Sequence, residues 1–406
     1  MRRVGYLIPE FPAQTHAFFW REMKKVREHG VEPVVMSSRR PPPGLVVHEW
    51  TEDAVAATTY LTPPTPGLAL RGAAAIARNP AGWARCLAQV AEAEGQGAKG
   101  KARLAALAVV GAEVAAIARA EKLDHLHAHS AADSAHLAMF GSFLAGIPYS
   151  VMLHGPLSDY GPNQRNKWRH AAFGIVITQK LMGEIRGAFG ADLPPMHIAP
   201  MGVDTANYVR QRPYEAFAGE GPLRLFSCGR LNEVKGHHHL AEAVGLLRQR
   251  GLDARLRVAG EDEQGGSGFH RELQQRIDAL GLDAGAVTLL GAIPERQVRA
   301  ELDDAHVFSL ASYHEPLGVA IMEAMALAVP VVVTHAGGVK ELVADGADGL
   351  TVDPKDPEAL ARRIEEIARD PALALRLGDA GRKTVIARFD SGRSAELIAR
   401  GTLGTL

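Results

Sequence analysis

The stretch His314-Glu315-Pro316-Leu317-Gly318-Val319-Ala320-Ile321-Met322-Glu323-Ala324-Met325-Ala326 constrains this chain more than any other. Val307-Phe308-Ser309-Leu310 before it reads as a buried strand, and Ser312-Tyr313-His314 as the loop leaving that strand. Pro316 suits the first turn of a helix, where its missing N–H costs nothing. Gly318 has no Cβ, so a ligand can lie directly on the backbone of that turn. The free N–H groups and positive dipole end there attract an anion such as a phosphate. Glu315 precedes this point, and Glu323 follows it by about 7–9 Å at the rise of a helix. Two carboxylates so placed suit a ligand with hydroxyls on both sides of a phosphate, which is the shape of a nucleotide-sugar. The plainer alternative is an ordinary strand-loop-helix of a parallel sheet with two surface glutamates.

A chain of 406 residues is long for one core and suggests two domains. With 45 Lys+Arg against 46 Asp+Glu, no general polyanion-binding surface is implied, and no nucleic-acid partner is expected. Cys86 and Cys228 stand far apart, in contexts that read as helix and buried strand, and are expected as reduced thiols. The apolar run at residues 4–8 stops at Pro9, too short for a signal peptide, and no stretch offers the ~18 apolar residues of a membrane span. A cytoplasmic location is the expectation.

Two halves repeat one plan. Residues 4–8 form a strand, 9–16 a loop, 17–29 a helix closed by Gly30, and 31–36 the next strand, the opening of a doubly wound α/β sheet. The Pro-rich segment 37–65 supports only short strands. From 66 to 120 Ala, Leu and Arg recur at helical spacing, broken at Asn79-Pro80 and around 95–100. Arg71, Arg78, Arg85, Lys99, Lys101 and Arg103 in this region admit two readings: a solvated helix face, or contact with an anionic membrane or lipid diphosphate at the inner membrane face. His125-Leu126-His127-Ala128-His129 alternates as a strand and sets three imidazoles on one side. No nearby cysteine or carboxylate completes a zinc set, so no metal is expected there. His154 ends the strand at 149–153, where open α/β sheets place ligands. Domains are expected at 1–206 and 223–388, with a polar linker at 207–222 and a tail at 389–406. The second half runs strand 223–228, loop 229–236, helix 238–249, strand 256–259, a glycine-rich loop 260–268, strand 287–290 and helix 295–303, and so reaches the opening motif. His237-His238-His239 resembles a metal tract, but a helix start there should splay the three side chains.

The spacing Glu315-x7-Glu323, followed by Pro330-Val331-Val332-Val333-Thr334 and Gly337-Gly338-Val339 with Glu341, resembles the donor site of the GT4 family of retaining glycosyltransferases. The resemblance implies a GT-B architecture, two doubly wound Rossmann-like domains facing across a cleft, with a tail that packs back on the first domain. It implies roles as well. Arg230 and Lys235, in the loop opened by Gly229, neutralise a leaving diphosphate, and Glu315 binds donor-sugar hydroxyls. The amides of Leu317, Gly318 and Val319 hold phosphate, Glu323 accepts from ribose, and Ile293 lies against the nucleobase. His154 faces the donor sugar from the first domain, where Thr15, His16, His127 and His129 form the acceptor side. The partners implied are a nucleotide-sugar donor and a glycan, lipid-linked or small-molecule hydroxyl acceptor, with no metal and no other cofactor. Bacterial exopolysaccharide and colanic-acid-type enzymes are the branch suggested. Many relatives have glycines in the first loop where this chain has Pro12-Ala13-Gln14-Thr15-His16. An epimerase or phosphorylase on the same architecture, or a silent nucleotide-sugar-binding module, are the competing readings; the intact Arg230, Lys235, Glu315 and Glu323 set argues against the epimerase and the silent module.

Overall fold

The computed structural model describes residues 1–42 and 45–406. The first domain holds seven parallel strands: β1 (Arg2–Glu10), β2 (Val31–Arg39), β3 (Thr58–Thr62), β4 (His125–Ala128), β5 (Tyr149–Leu153), β6 (Phe173–Val176) and β7 (Met196–Ile198). Their spatial order is β3-β2-β1-β4-β5-β6-β7. Around them lie α1 (Ala17–Glu28), α2 (Thr51–Ala57), α3 (Pro66–Arg78), α4 (Pro80–Ala91), α5 (Ala98–Ala120), α6 (Asp133–Ala145), α7 (Gln164–Arg169) and α8 (Gln179–Phe189). The second domain repeats the design with β8 (Leu223–Cys228), β9 (Ala254–Ala259), β10 (Val287–Gly291), β11 (Val307–Leu310), β12 (Val331–Thr334) and β13 (Leu350–Val352), parallel and ordered β10-β9-β8-β11-β12-β13. Its helices are α9 (His237–Gln249), α10 (Phe269–Ala279), α11 (Glu295–Asp304), α12 (Val319–Ala326), α13 (Val339–Leu342), α14 (Pro357–Arg369) and α15 (Pro371–Arg388); α16 (Gly392–Leu403) ends the chain.

Local chemistry accounts for many of these boundaries. Four helices start on a capping side chain followed by proline. Thr65 Oγ1 accepts from Leu68 N, Asn79 Oδ1 from Gly82 N, Asp356 Oδ1 from Ala359 N and Asp370 Oδ1 from Leu373 N. Each satisfies a donor that the first turn leaves free, and proline at N1 gives up none. Asp370-Pro371 therefore divides the helical region 357–388 in two. The segment 37–65 differs from expectation, because it carries helix α2 as well as strand β3. Trp50 caps that helix from a stack with His48, Trp20 and Phe11. Pro43 and Gly44, within the same segment, lie outside the described residues. Of the basic residues between 66 and 120, Arg103 pairs with Asp133, Lys101 donates to the Ala91 carbonyl, and Arg85 lies 4.1 Å from the Phe143 ring centre. These three follow the solvated-face reading, with protein partners. No helix among the described residues is long and apolar enough to cross a membrane.

The linker is anchored at both ends, more firmly than its polar composition suggests. Tyr208 is buried in the first core and Phe217 in the second. At residue 389 the chain returns to the first domain. Val203 N donates to Phe389 O and Ser391 N to Val203 O, both at 3.0 Å, and α16 packs on α1 and β1. Gly202 sits under this crossing, and a Cβ there would collide with the Phe389 carbonyl oxygen. Backbone cannot yield as a flexible side chain can. Gly202→Ala is expected to cost about 1–3 kcal/mol of overpacking strain, read as a lower urea midpoint and faster protease cleavage after residue 389.

Candidate functional site

Each sheet reverses its strand order once, at β1/β4 in the first domain and at β8/β11 in the second. Ligands of open α/β sheets sit beyond the carboxyl ends of the strands at such points. Here the two points face each other. The loops leaving β1, β4 and β5 meet those leaving β8 and β11 around one cavity of about 990 Å³.

The second-domain wall carries the charge. Lys235 Nζ lies 2.5 Å from Glu315 Oε2, and Ser312 Oγ donates to the same oxygen at 3.2 Å. Arg230, at the mouth, pairs with the exposed Glu263 at 3.0 Å, a contact that solvent weakens. Gly229, Leu317, Gly318, Val319 and Glu323 also line the cavity. The helix begins later than its sequence suggests. Val319 is its first residue and Gly318, at φ +93°, its N-cap, so Pro316 lies outside the first turn. The cause is a second loop. Gly338 N donates to Glu315 O at 2.9 Å, and Glu315 bridges Gly337 as a strand would, which holds 315–317 out of the helix. Side chains at Gly337 or Gly338 would strike the Glu315 and Pro316 carbonyl oxygens. The N–H groups of Leu317, Gly318 and Val319 donate to no backbone oxygen among the described residues and stay free at the positive end of α12.

The first-domain wall is rich in aromatic rings and neutral imidazoles. Thr15, His16, His129 and His154 line the cavity. Burial pushes His129 and His154 down to about 3 and His16 to about 4, so all three are neutral imidazoles at neutral pH. Their rings pack on Phe18 and Phe19, and His129 Nε2 lies 3.0 Å from the buried Glu22. Gln14, in the loop that lacks the expected glycines, accepts from Glu261 N across the cleft at 3.2 Å.

Two expected site residues stand elsewhere. His127 is buried below the cleft floor, its Nδ1 2.7 Å from Ser150 Oγ, because only the last imidazole of the alternating strand reaches the carboxyl end. Ile293 packs against the hydrophobic core and is not among the residues lining the cavity. In the triple-histidine tract His238 and His239 do not splay apart. Their rings lie 4.1 Å apart and both reach Tyr313 Oη, at 2.8 and 3.1 Å. Asp262 holds the glycine-rich loop, accepting from the N–H groups of Gln264, Gly266, Gly268 and His270. Cys86 and Cys228 are both free, and burial pushes each thiol up to about 12.

The residue that sequence reasoning missed is Arg21. It projects from α1, is 8% exposed, and reaches across the cleft to two second-domain carboxylates. Nη1 pairs with Glu323 Oε1 at 2.7 Å, and Nη2 donates to Glu295 Oε1 at 2.7 Å. Tyr208 lies under the guanidinium, 5.2 Å from ring centre to carbon. Burial pushes the Glu323 carboxyl up, and Arg21 opposes that shift. A usable signal existed for its neighbour. Glu22 stands three residues after Phe19 and four before Val26, inside the apolar stripe of α1.

With this geometry in view, residues 214–384 match the family Glycosyl transferases group 1. Over 219 residues the chain is 32% identical to the putative colanic acid biosynthesis glycosyltransferase WcaL of Salmonella typhimurium, covering 52% of each chain. The chain thus spans about half the length of that curated relative. It is 29% identical over 330 residues to the alpha-maltose-1-phosphate synthase of Mycolicibacterium smegmatis, covering 72% of this chain and 82% of that one. Among solved structures, Anabaena Alr3699/HepE in complex with UDP and glucose superposes with a TM-score of 0.75 at 20% identity over all of both chains. The sucrose-phosphate synthase of Thermosynechococcus elongatus gives 0.72 at 17% identity, again over all of both chains. Residues 214–384 therefore match a group 1 glycosyltransferase domain, and the chain that contains them has the GT-B fold of two facing Rossmann-like domains.

Proposed function

We propose that this chain is a retaining glycosyltransferase that moves a hexose-type sugar from a nucleotide-diphosphate sugar to a hydroxyl acceptor, in polysaccharide or lipid-linked glycan synthesis. One observation carries the reading. Lys235, Arg230, Glu315 and the free amides of 317–319 line one side of a single cavity, and neutral His129 and His154 line the other. The likeness to WcaL, named for colanic acid biosynthesis, and to HepE, solved with UDP and glucose, supports it.

In this reading the diphosphate lies on the start of α12, where free N–H groups and the helix dipole meet its charge. Lys235 turns from Glu315 to the phosphate, and Arg230 closes from the mouth. Glu315 then accepts from sugar hydroxyls and Glu323 from ribose. The C1–O bond to phosphate breaks with its electron pair going to the leaving oxygen. The acceptor oxygen bonds to C1 from the same face, and its proton passes to a phosphate oxygen. Glu315 sits on the phosphate side of the ring, the wrong face for displacement, so no glycosyl-enzyme forms. His154 meets the sugar as a neutral hydrogen-bonding group. Thr15, His16 and His129 face the acceptor. For a lipid-linked acceptor the 66–120 helices supply the membrane-facing side, where Leu70 and Val109 are exposed.

If Arg230 and Lys235 stabilise the leaving diphosphate, replacing either by Ala lowers kcat by about 10²–10³-fold, with a smaller effect on donor affinity. Steady-state assays of nucleotide release check this, and near-normal turnover in Lys235→Ala would remove the assignment. Positive charge from two cations and a helix start replaces a divalent ion. Turnover is therefore expected to survive EDTA, and activity lost to EDTA and regained with Mg²⁺ or Mn²⁺ would refute that. The product should keep the donor's anomeric configuration by NMR, with no glycosylated protein in the mass spectrum when acceptor is withheld. An inverted product excludes the retaining reading; a trapped adduct excludes only the front-face route.

A further inference from the structure

Glu323 is buried in the cavity wall, its side chain 11% exposed, and its one ion-pair partner among the described residues belongs to the other domain. Arg21 touches one of its oxygens, Oε1, and is itself fixed from three sides. Nε and Nη2 donate to Glu295 Oε1 at 3.2 and 2.7 Å, the Tyr208 ring supports the guanidinium plane, and α1 carries the side chain to the cleft. A planar guanidinium forked between two carboxylates has little freedom left. It therefore restrains Glu323 through an ion pair at Oε1 and leaves Oε2, the second oxygen of the same carboxylate, to a ligand. Glu323 and Arg21 both line the cavity.

We propose that Arg21 is a positioning residue for nucleotide recognition: reaching from the first domain, it holds Glu323 to accept from the ribose hydroxyls and so sets a preference for ribonucleotides. This rests on the reading of Glu323 as the ribose contact. A hydrogen bond from a hydroxyl to a fixed, charged acceptor commonly supports about 10-fold or more in affinity. A carboxylate that has lost its countercharge and its orientation loses most of that.

The test uses the full chain and isothermal titration with UDP, GDP and ADP, each beside its 2′,3′-dideoxy counterpart. The wild-type protein is expected to prefer the tightest-binding ribonucleotide over its dideoxy form by about 10-fold or more. In Arg21→Gln, affinity for the ribonucleotide falls by about 10-fold while the dideoxy form binds nearly as before, so the preference collapses. Glu323→Gln should lose the same preference, and the double variant should lose no more than either single one. A damaged fold would weaken both nucleotides alike and would leave their ratio intact. Should Arg21→Gln fail to fold, Arg21→Lys carries the comparison. Its single ammonium cannot serve both carboxylates at once, and a preference reduced by about threefold or more is expected. A preference unchanged in the Arg21 variant that folds overturns the proposal. So does a preference that rises, which would make Arg21 a competitor of ribose. Wild-type protein that binds none of the three diphosphates would instead defeat the donor reading itself.

Discussion

A carboxylate buried as deeply as Glu323 persists as an anion only beside a countercharge, and the countercharge here comes from the opposite domain. The dependence is mutual. Arg21 is buried too, and burial pulls its charge down while Glu323 and Glu295 hold it up. Removing one partner of such a set commonly costs ~3–5 kcal/mol, because the rest are left charged and dry. The two domains are therefore coupled at the place where the ligand would lie. Other cross-domain contacts follow the same line. Glu341 of the second domain accepts from Gln179 N and Lys180 N at the start of α8, as a cap supplied from outside the helix. The tail adds covalent continuity by laying α16 on α1, the helix that carries Arg21.

Backbone approach is the second constraint. The segment that ends in Gly318 stays out of the helix because the loop at 337–338 lies directly on it, and that contact requires two residues without Cβ. Holding 315–317 out of the helix directs Glu315 toward Lys235 and leaves three amides unpaired. The glycines are thus remote determinants of the anion site. They act on the position of the peptide planes rather than on any side chain.

The repeated strand-loop-helix plan was legible because buried parallel strands are continuous apolar runs and helix starts carry local caps. Strand β5 and β11 fall on their sequence-read limits for that reason. Helix α2 was not legible: only Ala54 of its seven residues is buried, and its start depends on an aromatic stack assembled from distant residues. Pro316 misled because an N1 proline and a proline in a bend before the helix look alike without the loop that pins it. The alternation at 125–129 put the imidazoles on one side of a strand, but not how far below the cleft floor each would lie. His127 falls on the wrong side of that floor. Arg21 and Glu295, 274 positions apart, share no local pattern at all, so their pairing emerges only from the packed domains.

The cavity is electrically lopsided, and the proposed chemistry makes use of that. Burial keeps His16, His129 and His154 uncharged on the first-domain wall, whereas the opposite wall concentrates Lys235, Arg230 and the positive end of α12. During front-face transfer negative charge grows on the diphosphate while C1 becomes cation-like. A charged imidazole beside the sugar would oppose the second change. Lys235 and Arg230 on the leaving-group wall assist the first without opposing the second, since they lie beyond the phosphate rather than against the ring, and the charge of Arg21 is taken up by Glu323 and Glu295. The same division explains why the carboxylates differ in partner. Glu315 is paired with a lysine from its own domain, which can turn away to phosphate. Glu323 is paired with a doubly held arginine, which cannot, so in the proposed reaction one carboxylate changes its partner and the other keeps its own.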